Sequence, residues 1–143
     1  MKISTRGRYA LRVIIDLAEH QSDKYIPLKD IVARQSISQK YLESITTDLS
    51  KAGLLDGHHG KNGGYRLTKA PEDITVKDIL VVTEGDLAPV ACLEKNAKAC
   101  ELSGECRTLP MWKKFYSLIN DFFEGITIKD LMKTDNTGND YII

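Results

Sequence analysis

Along residues 5–20, Ala10, Val13, Ile14, Leu17 and Ala18 recur at helical spacing, while Arg8, Arg12, Asp16 and Glu19 fall on the other side. That period predicts an amphipathic helix with Thr5 as its N-cap. A shorter apolar stripe of Leu28, Ile31 and Val32 follows Pro27, which suits a first helical turn, and ends near Arg34. Gln35-Ser36-Ile37 then turns the chain and Ser38 offers an N-cap. Tyr41, Leu42, Ile45 and Leu49 give the buried side of a third helix, with Gly53 available to end it. Over residues 75–84, Thr75 and Asp78 make a start close to a capping box, Val76, Ile79, Leu80 and Thr83 face inward, and Gly85 closes the helix.

Between the third and fourth helices the pattern becomes that of short strands. Leu54-Leu55-Asp56 and Tyr65-Arg66-Leu67 flank a polar, glycine-rich tip over residues 57–64, where Asn62-Gly63 is a dipeptide favoured at tight hairpin turns. Two short helices joined by a tight turn and followed directly by a hairpin form the pattern of a winged helix-turn-helix. The helix over 38–50 presents Gln39, Lys40, Glu43, Ser44, Thr47 and Asp48 outward, all side chains able to read base edges. The tip glycines allow close approach to a groove or to phosphates, and His58, His59, Lys61 and Arg66 supply donors. The alternative is an ordinary helical hairpin beside a solvated β-hairpin. A nucleotide-binding loop does not fit, because Gly60-Lys61 is followed by Asn62 rather than Ser or Thr.

No clean period runs through the roughly 24 residues between Gly85 and Pro110, and loops longer than about 12–15 residues are usually functional or disordered. Pro110 opens a long helix in which Trp112, Phe115, Tyr116, Leu118, Ile119, Phe122 and Phe123 make a wider apolar surface than one buried side needs. That surface is a candidate dimer interface; simple packing on the body is the alternative. A short helix over 128–133 follows Thr127 as cap, and the tail stays polar until its last three residues. The expected fold is mainly α with a small β-hairpin: a winged helix-turn-helix plus a long dimerisation helix. Its parts are a DNA-binding unit over 1–84, a cysteine-bearing loop over 85–109, dimerisation and C-terminal helices over 110–133, and a tail over 134–143.

Composition narrows the classes. A chain of 143 residues suits one compact domain, or a small one with an appended helix, and 42% hydrophobic with 28% charged residues is ordinary for a globular protein. No apolar run approaches the roughly 18 residues of a membrane span, and the first residues lack a signal-peptide core. The expectation is a cytoplasmic protein with no membrane partner. Formal net charge is zero, yet residues 1–69 carry 12 Lys and Arg against 7 Asp and Glu, while residues 70–143 carry 8 against 13. The halves therefore stand at +5 and −5, which suggests a polyanion-binding part and an acidic part. Lys2, Arg6, Arg8 and Arg12 put four positive charges and no negative one in the first twelve residues. They read either as phosphate contacts or as a solvated basic helix end.

All three cysteines, Cys92, Cys100 and Cys106, fall within fifteen residues of the irregular stretch. An odd count argues against a disulfide framework, and neither a paired zinc spacing nor a redox C-x-x-C is present. Three thiolates on one loop suit a soft-metal or iron-sulfur site, since such clusters are held mainly by cysteine. Three free thiols are the alternative.

Taken together, these residues resemble the Rrf-two family of bacterial winged-helix regulators, with its IscR, NsrR and CymR types. The resemblance runs over nearly the whole chain. It rests on Lys2-Ile3-Ser4-Thr5-Arg6-Gly7-Arg8-Tyr9-Ala10, on Ile37-Ser38 with Tyr41-Leu42-Glu43, and on Ala52-Gly53-Leu54-Leu55. Gly63-Gly64-Tyr65 before Leu67, the three cysteines and Ile126-Thr127-Ile128 complete it. It implies a homodimeric regulator of transcription that binds palindromic double-stranded DNA, with the helix over 38–50 in the major groove and the wing in the minor groove. DNA contacts are then expected from Lys2, Arg6, Arg8, Ser38, Gln39, Lys40, Tyr41, Glu43, Ser44, His59, Lys61, Gly63, Gly64 and Tyr65. Dimer contacts are expected from Trp112, Phe115, Tyr116, Ile119, Phe122 and Phe123. It also implies that Cys92, Cys100 and Cys106 hold an iron-sulfur cluster (2Fe-2S, with nuclearity open) that reads iron–sulfur, nitric oxide or redox status.

This chain departs from the family's pattern at three positions. IscR types place a histidine ligand three residues after the third cysteine, where this chain has Leu109. NsrR types can take an acidic ligand from the N-terminal helix of the other chain, where this chain has Arg8. The fourth ligand is left open between Glu101, Glu105 and an exogenous group. His59 replaces an arginine of IscR types in the wing, which implies weaker or pH-dependent minor-groove affinity. The reading is a repressor or activator whose DNA affinity follows the cluster. One alternative keeps the fold and uses the thiols or a protein partner without a cluster. Another is a small metal-dependent redox enzyme, against which stand the lack of a nucleophile–base pairing and the absence of an H-E-x-x-H spacing among His20, His58 and His59.

Overall fold

A computed structural model describes residues 1–133; the expected tail, 134–143, lies outside the described residues. In chain order the elements are α1 (Thr5–Glu19), α2 (Leu28–Gln35), α3 (Gln39–Lys51), β1 (Leu55–His58), β2 (Gly64–Leu67), α4 (Val76–Glu84), α5 (Leu109–Glu124) and α6 (Ile128–Leu131). Each inward face follows the helical period. Ala10, Val13, Ile14 and Leu17 of α1, Ile31 of α2 and Leu42, Ile45 and Leu49 of α3 are wholly buried in one core, which Ile74, Ile79 and Ile128 complete. A second, smaller core joins Val76 and Leu80 of α4 to Leu87 and to Ile119 of α5. After α5 the chain returns to the first core, where Val76 N–H donates to the Ile126 carbonyl at 2.9 Å and Ile128 N–H to the Ile74 carbonyl at 2.8 Å.

Local signals set most helix ends. Ser38 caps α3 by accepting from Tyr41 N–H at 3.3 Å, and Thr75 and Thr127 each form a reciprocal capping box, with Asp78 and Asp130. The cap of α1 is a correction: it is Ser4, not Thr5. Ser4 Oγ accepts from Gly7 N–H at 3.0 Å while donating to Glu84 Oε1 at 2.6 Å, so a carboxylate at the end of α4 fixes the start of α1. Likewise α5 begins at Leu109, one residue before Pro110, with Thr108 as its cap residue.

The hairpin pairs Leu55 with Leu67, Asp56 with Arg66, Gly57 with Tyr65 and His58 with Gly64. Its strands lie slightly farther out than the apolar pattern suggests. The turn runs from Gly60 to Gly63, closed by Gly63 N–H on the Gly60 carbonyl at 3.0 Å, with Asn62 left-handed at φ 61°. Asn62-Gly63 is thus the second half of the turn rather than its centre. Ile26 adds a third pairing, exchanging two 2.9 Å backbone hydrogen bonds with Tyr65.

The first helix of the helix-turn-helix, α2, is anchored to α1 by Asp16, which is 3% exposed. Arg34 grips it in bidentate fashion at 2.9 and 2.7 Å, and Gln35 adds a third donor at 2.8 Å. Burial acts to raise the Asp16 pKa, but the Arg34 and Gln35 hydrogen bonds and the nearby positive charge outweigh it and hold the carboxyl below its ordinary value. Arg34→Met leaves that carboxylate buried without its cation. The expected loss is about 2–4 kcal/mol of folding stability, below the usual figure for a fully buried pair because Arg34 is 33% exposed. A depressed carboxyl pKa stabilises above the unfolded value and ceases to do so as pH falls through the folded value. Urea titrations should therefore show the advantage of wild type over Asp16→Asn near neutral pH, fading as the pH falls below 3.8, the ordinary carboxyl value.

Candidate nucleic-acid interface and cysteine site

Two walls face each other across a cleft of about 690 Å³. Glu43, Thr47 and Lys51 of α3 form one wall, and His58, His59, Gly60, Gly63 and Gly64 of the hairpin form the other, with Lys29 at its margin. Gln39, Lys40, Glu43, Ser44 and Thr47 lie exposed along α3, and His59 and Lys61 are exposed at the hairpin tip. Gln39 donates to Glu43 at 3.1 Å, so these two side chains support one another on the surface.

Several expected DNA-contacting residues have structural work of their own. Arg6 is ion-paired to Asp48 and donates to Ser44 Oγ at 3.0 Å and to the Ser44 carbonyl at 3.1 Å. It straps α1 to α3, and it occupies Ser44. Ser38 Oγ is engaged in the cap, and half-buried Tyr41 meets Tyr9 edge-on at 5.7 Å. Tyr65 lies over Gly57, where an added Cβ would stand 3.0 Å from its ring. Arg66 donates to Asp56 at 3.0 Å and covers the Tyr25 ring at 4.4 Å, while the Tyr25 hydroxyl donates to Asp56 at 2.9 Å. The hydrogen bond from Tyr25, followed by that from Arg66, holds the Asp56 carboxyl below its ordinary value. Arg66 therefore braces the base of the hairpin. Among the described residues, Lys2, Arg8, Lys40 and Lys61 form no ion pair; Arg8 donates to Thr5 Oγ1 at 3.2 Å.

The paired glycines serve the hairpin itself. A Cβ at Gly63 would sit 2.3 Å from the His58 carbonyl oxygen, and one at Gly64 would sit 2.1 Å from the Ile26 carbonyl oxygen. Their lack of a side chain thus allows a close approach to the chain's own backbone, while both still line the cleft. Sequence reasoning also missed Lys29 and Lys51; for Lys51, its position one turn beyond Thr47 was a usable signal.

The face of α5 is divided. Ile119 is 8% exposed and packs in the second core with Tyr116 and Phe123, so half of the expected dimer set faces its own chain. Met111, Phe115, Leu118 and Phe122 are the exposed large apolar residues of the helix, from 42% to 57%. Trp112 lies half-buried with its ring 6.5 Å from that of Phe115.

The cysteine loop is held at its start by buried Leu87 and by Asp86, which accepts from Ala88 N–H at 2.8 Å and Lys95 N–H at 3.0 Å. All three cysteines are free and line one cavity of about 210 Å³ with Leu109 and Lys113. The Thr108 hydroxyl at 3.5 Å, then the Thr108 and Leu109 backbone, lower the Cys106 thiol pKa from its ordinary value. Glu101 and Glu105, both candidates for a fourth ligand, are not among the lining residues. Among the described residues no three His, Cys, Asp or Glu side chains converge to hold a single metal ion. A polynuclear cluster presents several irons, so its donors need not meet at one point. Three thiols around one cavity fit such a cluster as three of its ligands.

A helix-turn-helix strapped to α1, with a braced hairpin beside it, defines a winged-helix regulator of transcription. Comparison with known proteins agrees: residues 3–134 match the Rrf2 family, described as iron-dependent transcriptional regulators, and the chain belongs to that family. It is 40% identical over 137 residues to the protein rrf2 of Nitratidesulfovibrio vulgaris, covering 93% of this chain and 88% of that one. Among solved structures it is similar to CymR, the global cysteine regulator of B. subtilis (34% identity, TM-score 0.73, 92% of this chain and 95% of that one). It is also similar to IscR of T. potens (32% identity, TM-score 0.72, 97% and 94%). These relatives are regulators, so the reading as a redox enzyme is set aside. No helix among the described residues is long and apolar enough to cross a membrane.

The glycine contacts give a test. Gly64→Ala forces a methyl into the Ile26 carbonyl at φ 152° and should cost about 2–3 kcal/mol, whereas Gly60→Ala meets nothing within 4 Å and should cost about 1 kcal/mol for its φ of 91°. Thermal or urea unfolding of the two variants measures the difference.

Proposed function

We propose that this chain is a homodimeric, sequence-specific DNA-binding regulator whose affinity for a palindromic operator responds to an iron-sulfur cluster held by Cys92, Cys100 and Cys106. The observation that carries the DNA-binding reading is the cleft between α3 and the wing, with the exposed face of α3 on one side and Lys61 at the tip of the other. In this reading Gln39, Lys40 and Glu43 meet base edges, while Lys2, Arg8 and Lys61 meet phosphates. Arg6, Ser38, Tyr41, Ser44, Gly63, Gly64 and Tyr65 position these contacts from behind. His59, exposed at the hairpin tip, faces the minor groove in this reading.

Lys61→Ala should weaken binding to every duplex by a similar factor and reduce the salt slope by about one unit. Lys40→Ala should instead change sequence preference, by about 1–3 kcal/mol at the base it contacts. Binding-site selection and a salt series on each variant separate the two effects. Unchanged preference in Lys40→Ala would remove α3 from the groove.

The exposed row Met111, Phe115, Leu118 and Phe122 supports pairing of α5 with its copy, since contiguous apolar helix faces mark interaction sites. For the cluster, the three thiols are the donors and α5 carries the loop's end. When bound, such a cluster supplies one-electron chemistry and iron sites reactive toward oxygen and nitric oxide. CymR, similar in fold, is described by its role in cysteine regulation, so a thiol-based response without a cluster is the second reading. Protein reconstituted anaerobically with iron and sulfide should be coloured and should bleach in air. Cys92→Ser, Cys100→Ser and Cys106→Ser should each lose the colour and keep the dimer, whereas Phe122→Asp should keep the colour and sediment as a monomer. Colourless wild type with three free thiols would leave the second reading.

A further inference from the structure

Among the described residues, the cysteine cavity is lined by three thiols and by no fourth protein donor of the usual kind. Leu109 lines it with an alkyl chain at the position where a ligand was expected, and Glu101 and Glu105 do not line it. Ser103 adds only a neutral hydroxyl. Among the described residues, the one charged side chain lining the cavity beside the thiols is Lys113, a turn beyond Leu109 on the same face of α5. An ammonium cannot ligate iron while protonated, but it attracts an anion. From this arrangement, and resting on the cluster reading above, we infer that the fourth ligand is a small-molecule thiolate bearing a carboxylate, its sulfur on the cluster and its carboxylate paired with Lys113.

The chemistry of the lining favours this class. A soft thiolate suits iron already held by three sulfurs, and the apolar walls of Leu93, Ala99 and Leu109 accept a short methylene chain. Binding is a ligand exchange: the thiol gives its proton to solvent, its sulfur forms a bond to iron, and the water or hydroxide previously there leaves. No electron is transferred.

The test uses full-length protein reconstituted anaerobically and three probes: 3-mercaptopropionate (thiol and carboxylate), 2-mercaptoethanol (thiol alone) and propionate (carboxylate alone). Binding is read from the visible spectrum and from adduct mass by native mass spectrometry, neither of which depends on DNA. Mercaptopropionate should bind about fivefold more tightly than mercaptoethanol, the scale of one partly exposed ion pair, and propionate should leave the spectrum unchanged. Lys113→Gln should remove that preference, and Lys114→Gln, whose side chain does not line the cavity, should retain it. Coloured protein that takes up no thiol, or that keeps the preference in Lys113→Gln, overturns the inference while leaving the cluster in place. Loss of colour in Ser103→Ala, with its fold intact by circular dichroism, would assign the ligand to Ser103 and overturn it as well. Protein that stays colourless in every arm removes the cluster reading and this inference with it.

Discussion

The placement of the exposed face of α3 depends on one buried carboxylate. Asp16 lies inside the first core, where an uncompensated charge would cost several kcal/mol, and the chain keeps it ionised by bringing Arg34 and Gln35 from the end of α2. Those two residues immediately precede the turn into α3, where Ser36 is left-handed at φ 53°. Satisfying Asp16 therefore fixes where the turn begins and, with it, the direction of α3. A hydrophobic contact would also hold α2, but it would tolerate sliding; a bidentate guanidinium does not. Arg6 repeats the arrangement at the far end of α3, through Asp48 and Ser44. Arginine thus ties α2 to α1 through Arg34 and α3 to α1 through Arg6.

That economy explains what could be read from sequence and what could not. Helix positions were legible because period and caps are local: Ser38, Thr75 and Thr127 each act within three residues. The cap of α1 was misplaced by one residue because its deciding partner, Glu84, lies 80 residues away. Charge was legible in sum but not in use. Arg6 and Arg66 counted as available cations, yet Asp48 and Asp56 engage them, and nothing in spacing marks a pair separated by 42 residues. The two glycines were read as clearance for phosphate because their sequence context cannot show that the His58 carbonyl stands against Gly63 and the Ile26 carbonyl against Gly64. Similarly, α5 was seen to be apolar on more than one side, but its division into an inward Ile119 and an outward Phe122 depends on Leu87 from the preceding loop.

Pairing also changes the electrostatic picture. After the arginines are committed inward, the cations without ion pairs among the described residues include Lys2, Arg8, Lys40 and Lys61, at the start of α1, the start of α3 and the wing tip. The positive half of the chain thus divides into arginines that set geometry and, mainly, lysines that remain solvated. The division has a physical basis. A planar guanidinium with five donors holds a fixed arrangement, whereas a flexible ammonium can follow a phosphate with little orientational demand.

The same logic connects the cysteine loop to α3. Cys106 lies three residues before the start of α5, with its sulfur 3.5 Å from the hydroxyl of Thr108, the residue that caps that helix. Ile119 of α5 packs on Val76 and Leu80 of α4, and α4 ends in Glu84, which holds Ser4 and would meet any side chain at Gly7 at 2.5 Å. Two residues beyond Ser4, Arg6 reaches Asp48 of α3. The contacts form a continuous route from the cavity to the exposed helix, and its junctions beyond Thr108 are a packed core and charged hydrogen bonds. Of these junctions, the loop has the least burial, with Cys92 and Cys100 exposed, so it is the part able to change at small cost. Under the proposed function, a sensing element placed there would alter its order without unfolding the core, and the junctions beyond it are the contacts through which a shift of α5 would reach α3.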